Sequence, residues 1–89
     1  MISKQDEGKI KQIANRYNAS KIILFGSSLE QEKESSDIDI AVEGIPDSKF
    51  FSFYGELIFN LSKPVDVVDL KKKNKFNNLI LSNGKIIYG

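Results

Sequence analysis

Residues 37–43 read DIDIAVE, an acidic and apolar alternation with a period of two. In an extended strand, side chains at i and i+2 project to one face. Asp37 and Asp39 therefore stand side by side, with Ile38 and Ile40 directed to the opposite face. Such a strand needs an apolar layer beneath it and is expected to turn its acidic face to water. Two adjacent carboxylates repel unless something neutralises them. A divalent cation would do so. The plain structural alternative is an edge strand whose acidic face keeps sheets from joining.

The rest of the chain supplies the layers. Ile10, Ile13, Ala14 and Tyr17 recur at helical spacing within Lys4–Tyr17, which predicts an amphipathic helix. Lys21–Phe25 (KIILF) is a buried strand by its β-branched, apolar character, and it stops at Gly26-Ser27-Ser28. The charged stretch from Leu29 to Ser36 is a surface loop or short helix. Asp47 or Ser48 can cap a second helix, where Phe50, Phe53, Tyr54, Leu57, Ile58 and Leu61 form the core-facing stripe. Phe51 and Phe59 lie off that stripe and are the aromatic side chains to expect on a partner surface. Val65–Leu70 reads as a third strand. Phe76, Leu79 and Ile80 mark a last helix, and Lys85–Tyr88 a terminal extended piece. The expected architecture is α/β (α+β), with helices against a small mixed sheet in one domain spanning residues 1–89.

Composition narrows the chemistry. With 89 residues the core is modest, so a partner or self-association would support it. Cysteine and histidine are both absent, which excludes disulfides, thiolate or imidazole metal sites, and Ser-His-Asp or Cys-His catalysis. Any metal must be held by oxygen, which points to magnesium, manganese or calcium. Thirteen basic against twelve acidic residues leave a net charge of +1, so no global field draws the chain to nucleic acid or membrane. The lysines at 71–73 and 75 read as solvated surface, and direct nucleic-acid binding is not expected. No apolar run approaches a membrane span and no secretory signal is visible, so a cytoplasmic location is expected.

Three features then combine. Gly26 and Ser27 follow a buried strand, where glycine permits close backbone approach and amide groups can meet a phosphate. Asp37 and Asp39 form the carboxylate pair. Asp66 lies within the apolar run Val65-Asp66-Val67-Val68-Asp69, where an aspartate is unfavourable for β structure and needs a reason. Asp69 is the competing candidate; it points away from the Asp66 face, so only one of the two can join the pair.

Leu24-Phe25-Gly26-Ser27, followed by Ser36-Asp37-Ile38-Asp39-Ile40-Ala41-Val42 and a later strand aspartate, resembles the signature of the DNA polymerase beta-like nucleotidyltransferases. The ending from Ile80 to Tyr88 is similar to the minimal nucleotidyltransferases, so the likeness runs from about Ile22 to Tyr88. It implies that Gly26, Ser27 and Ser28 hold the triphosphate of ATP, and that Asp37, Asp39 and Asp66 ligate one or two magnesium ions. It also implies that Asp66 helps activate an attacking hydroxyl. The implied reaction moves AMP from ATP to a hydroxyl acceptor. Members of the group commonly pair with a HEPN-domain toxin and act as its antitoxin. Many relatives carry arginine after Gly-Ser and glycine three residues later, where this chain has Ser28 and Gln31. That departure leaves open an alternative in which the chain neutralises its partner by binding alone.

Overall fold

A computed structural model describes residues 2–29 and 37–89. In chain order the elements are α1 (Lys4–Arg16), β1 (Lys21–Leu24), a 3-10 turn (Gly26–Leu29), β2 (Ile38–Glu43), α2 (Asp47–Asn60), β3 (Val65–Asp69), α3 (Lys75–Asn83) and β4 (Lys85–Tyr88). The other expected helices and strands are present, with ends shifted by a residue or two, while the stretch expected as a loop or short helix from Leu29 to Ser36 lies, beyond Leu29, outside the described residues.

Helix α1 starts where Ser3 Oγ accepts the Asp6 N–H at 3.1 Å, and Asp6 and Glu7 complement the positive end of the helix dipole. For α2 the expected cap is corrected. Pro46 occupies that place in an extended conformation, Asp47 is already the first helical residue, and no side chain caps the end. Proline serves because the first amides of a helix lack intrahelical partners, and its fixed φ leads the chain into the first turn.

The sheet order is β3-β2-β1-β4. Strand β1 runs antiparallel to β2 and β4, and β2 runs parallel to β3 through the α2 crossover. One face carries the main core. Ile10 and Ile13 of α1 and Phe53 and Leu57 of α2 close over Ile22, Leu24, Ile38, Ile40, Val42 and Val65. Each fully buried side chain of this size contributes about 1.5–3 kcal/mol relative to exposure.

The opposite face holds a smaller cluster of Ile23, Ala41, Leu70 and Ile80, covered by α3. This corrects the expectation that β2 turns one whole face to water: Ala41, in the middle of that face, is fully buried, while Asp39 before it and Glu43 after it are half-buried. Ile58, placed in the core by its spacing, is also corrected. It is 61% exposed, because the stripe that meets the sheet narrows to Phe53, Leu57 and Leu61. Phe51 and Phe59 are 90% and 89% exposed, as the off-stripe positions predict.

A buried acid joins the layers. Asp6 accepts the Ser62 N–H at 3.1 Å and the Ser62 hydroxyl at 2.5 Å, tying α1 to the lead-in of β3. On the far side, Ile38 N–H donates to the Pro64 carbonyl at 2.8 Å and Tyr54 Oη donates to the Val65 carbonyl at 3.0 Å. These contacts set where β3 begins against β2. No helix among the described residues is long and apolar enough to cross a membrane.

Candidate active site on the open half of the sheet

Strand β2 lies inside the sheet, bonded to β1 on one side and β3 on the other. Its acidic face is therefore not the guard of an exposed edge, and the edge-strand explanation of Asp37 and Asp39 fails. The parallel register sets Asp39 opposite Asp66. Paired residues in adjacent strands share a face, and the strands lie about 4.8 Å apart. Asp39 and Asp66 thus leave the sheet side by side on the face that also carries Ala41 and Val68. Asp37 sits exposed immediately before β2, at the same end.

The choice between Asp66 and Asp69 follows from the same register. Asp69 pairs with Val42, whose side chain lies in the main core, so Asp69 belongs to the other face. Its carboxylate accepts the Lys71 N–H at 2.9 Å. The chain thus brings Asp66 to the pair and keeps Asp69 away.

Gly26 completes the corner. Its φ is +62°, and a Cβ added there would stand 2.9 Å from Asp39 Oδ2. Only glycine both adopts this left-handed backbone cheaply and leaves room for the carboxylate. Backbone bonds fix Asp39 itself. Its carbonyl accepts the Phe25 N–H at 3.2 Å, and its N–H donates to Ser28 Oγ at 2.9 Å. Ser28 is almost wholly buried. Its hydroxyl oxygen is engaged by the strand and so ties the turn to β2. Ser27 follows Gly26 in the 3-10 turn. Gln31 and Ser36 lie outside the described residues.

Among the described residues, no three acidic side chains are drawn into a ready-made cation cluster. The donor set nonetheless suits a hard cation. It consists of carboxylate oxygens on adjacent strands, next to a cradle that a Cβ would fill. The basic run at 71–73 follows the trailing end of β3, whereas Asp39 and Asp66 stand near the strands' leading ends. These lysines are thus not part of the carboxylate corner. Lys71 instead bonds Asp47 at 2.8 Å, which raises the ammonium pKa above its ordinary value.

Sequence reading missed two contributors. Phe25 neighbours Asp39 across the β1–β2 ladder, a relation that required the register. Asp6 carries no signal in the sequence beyond its place in the first turn of a helix, and its burial against Ser62 marks it as a support of the β3 lead-in.

Comparison with known proteins adds the chemical context. The family model described as "Polymerase beta, Nucleotidyltransferase" matches residues 8–89. A solved toxin–antitoxin structure with AMP-PNP contains a chain 29% identical at a TM-score of 0.74, covering 93% of this chain and 73% of that one. A structure of tri-AMPylated HEPN toxin from Shewanella oneidensis in complex with MNT antitoxin matches at 28% identity and a TM-score of 0.71, covering 94% and 70%. A MntA–HpeT pair carrying two aspartate-to-glutamate substitutions two residues apart matches at 27% identity and a TM-score of 0.73, covering 93% and 72%. No curated protein is similar enough in sequence to match.

Proposed function

The chain belongs to the polymerase beta nucleotidyltransferase family, and we propose that it transfers AMP from ATP to a hydroxyl group of a HEPN-domain toxin, acting as its antitoxin. The observation that carries this reading is the register that sets Asp66 beside Asp39, next to the glycine turn. The relative with AMP-PNP and the relative whose toxin carries AMP groups support the choice of nucleotide and acceptor.

In this reading Asp37, Asp39 and Asp66 hold magnesium, an ion suited to all-oxygen donors. Bound there, magnesium offsets the carboxylate charge and polarises phosphate oxygens. The remaining roles fall to the chain. Gly26 and Ser27 present backbone amides to the outer phosphates, and the missing side chain at Gly26 lets them come close. Asp66, at the end of the row away from the turn, orients the acceptor hydroxyl and receives its proton. The hydroxyl oxygen forms a bond to the α-phosphorus as the bond to the bridging oxygen breaks, and pyrophosphate leaves on the Gly26 side. Ser28 and the Phe25 amide keep Asp39 at its station.

A second reading has a specific observation behind it. The usual arginine position holds a buried serine, and α2 presents Phe51, Ile58 and Phe59 to solvent. A protein with those features can neutralise a partner by covering it. The test is incubation of the chain and its HEPN-domain partner with labelled ATP and magnesium. Adenylyl transfer reads out on the partner, with Asp39→Asn as the comparison. Label on the partner with wild type and none with the variant is expected. Equal labelling by both proteins overturns the Asp39-centred site, and neutralisation without any label overturns the transfer reading in favour of occlusion.

A further inference from the structure

Between α3 and the 3-10 turn lies an apolar cleft of about 190 Å3, lined by Phe25, Gly26, Leu29, Phe76, Leu79 and Asn83 among others. Among its described lining residues, Asn83 supplies the only polar side chain. The rings of Phe25 and Phe76 meet edge to face, with centroids 5.9 Å apart and planes at 86°. Phe76 is 54% exposed and Leu79 60%, although both sit on a helix that packs onto the sheet.

The position of the cleft is informative. Gly26 belongs both to its wall and to the turn that rests on Asp39. The Phe25 N–H bonds the Asp39 carbonyl, so Asp66 of β3, Asp39 of β2 and Phe25, the residue after β1, form one row. The carboxylates occupy one end of that row and the apolar cleft opens at the other.

We propose that this cleft receives the base ring of the nucleoside triphosphate. The proposal rests on the transfer reading above and adds the site of base recognition. Among the described lining residues no side chain is charged, so beyond the Gly26 amide already given to the outer phosphates the cleft offers phosphate no charged partner. A flat, polarisable ring gains from the edges and faces of Phe25 and Phe76 and from the aliphatic wall. The acceptor is not the occupant. An attacking hydroxyl must approach opposite the departing pyrophosphate, and Gly26 stands at the leaving side. The acceptor therefore enters over Asp66, away from the cleft.

The experiment compares ATP with inorganic tripolyphosphate, each with magnesium, by calorimetric titration of the full chain and its Phe76→Ala and Phe76→Leu variants. Wild type is expected to bind ATP about tenfold more tightly than tripolyphosphate, the scale of one stacked base. Phe76→Ala should remove most of that margin and Phe76→Leu part of it, with tripolyphosphate affinity unchanged in both. That unchanged affinity also shows that the variants are folded. Equal wild-type affinities for the two ligands overturn the base site while sparing the phosphate turn. So does a Phe76→Ala variant that loses both ligands equally or keeps the full ATP margin. Binding of neither ligand by wild type overturns the transfer reading itself, and the base site falls with it.

Discussion

The two faces of one strand, β2, are built to opposite ends. Toward α1 and α2 it presents Ile38, Ile40 and Val42, all without solvent exposure. Toward the other side it presents Asp39 beside Asp66, with the glycine turn against the carboxylate. The period of two that drives three apolar side chains into the core is the same period that gathers the acids. Stability and chemistry are thus encoded by alternate residues of a single hexapeptide. What separates them is the cover: helices close one face completely, while α3 closes only part of the other.

That contrast can be broken from either side. Asp39→Asn is expected to lower adenylyl transfer by about a thousandfold, because a ligand that stabilises developing charge in the transition state is worth several kcal/mol. Its folding stability should stay near wild type, since the substitution also relieves repulsion between neighbouring carboxylates. Paired transfer assays and urea melts check this, and a large loss of stability contradicts it. Ile40→Ala, one residue away, should do the reverse. It costs about 3 kcal/mol of folding stability while the folded fraction retains its transfer rate.

Ser28 sharpens the comparison because it links the two halves. Ser28→Ala leaves the Asp39 N–H without its acceptor, at a cost of about 1–2 kcal/mol in urea unfolding. Ser28→Arg, which restores the side chain common among relatives, should destabilise the chain further rather than improve transfer, because the site is buried. On the surface, a Phe51→Ser, Phe59→Ser double variant should weaken a partner complex by about tenfold or more while leaving ATP affinity unchanged. Pull-down against ATP titration separates the two effects.

The smallest effect belongs to the α1–α2 contact. The Tyr17 hydroxyl donates to Glu56, and that bond holds the Tyr17 pKa above its ordinary value. A folded-state pKa raised in this way gives a contribution that is full below the unfolded value and fades as pH rises through the folded one. Tyr17→Phe should therefore shift stability slightly at neutral pH, with the difference closing on the alkaline side only in strong alkali. Melts across pH read it directly.

Much of this was legible before any coordinates. The alternation at 37–43, the apolar run closing on Gly26 and the helical stripe around Phe53 depend on local periodicity, and the elements follow it. Other features depended on pairing. The choice of Asp66 over Asp69 is a matter of which residue faces Asp39, and only the β2–β3 register decides it. Ser28 is expected at the triphosphate from its place after Gly26-Ser27, and only the fold shows that its hydroxyl oxygen also accepts a backbone N–H eleven residues away at 2.9 Å. Ile58 kept helical spacing but missed the core, because a small sheet contacts only a narrow stripe of α2. The closing of the second face by α3 was likewise beyond local pattern, since Ala41 is buried by Ile80 from a distant helix.

The central claim is that strand register assembles Asp39 and Asp66 into one cation-binding corner. Its most direct test is a manganese titration in the presence of ATP, followed by electron paramagnetic resonance, on wild type, Asp66→Asn and Asp69→Asn. The account predicts that Asp66→Asn loses most of the bound manganese signal and that Asp69→Asn keeps it. Retention by Asp66→Asn together with loss by Asp69→Asn would contradict it.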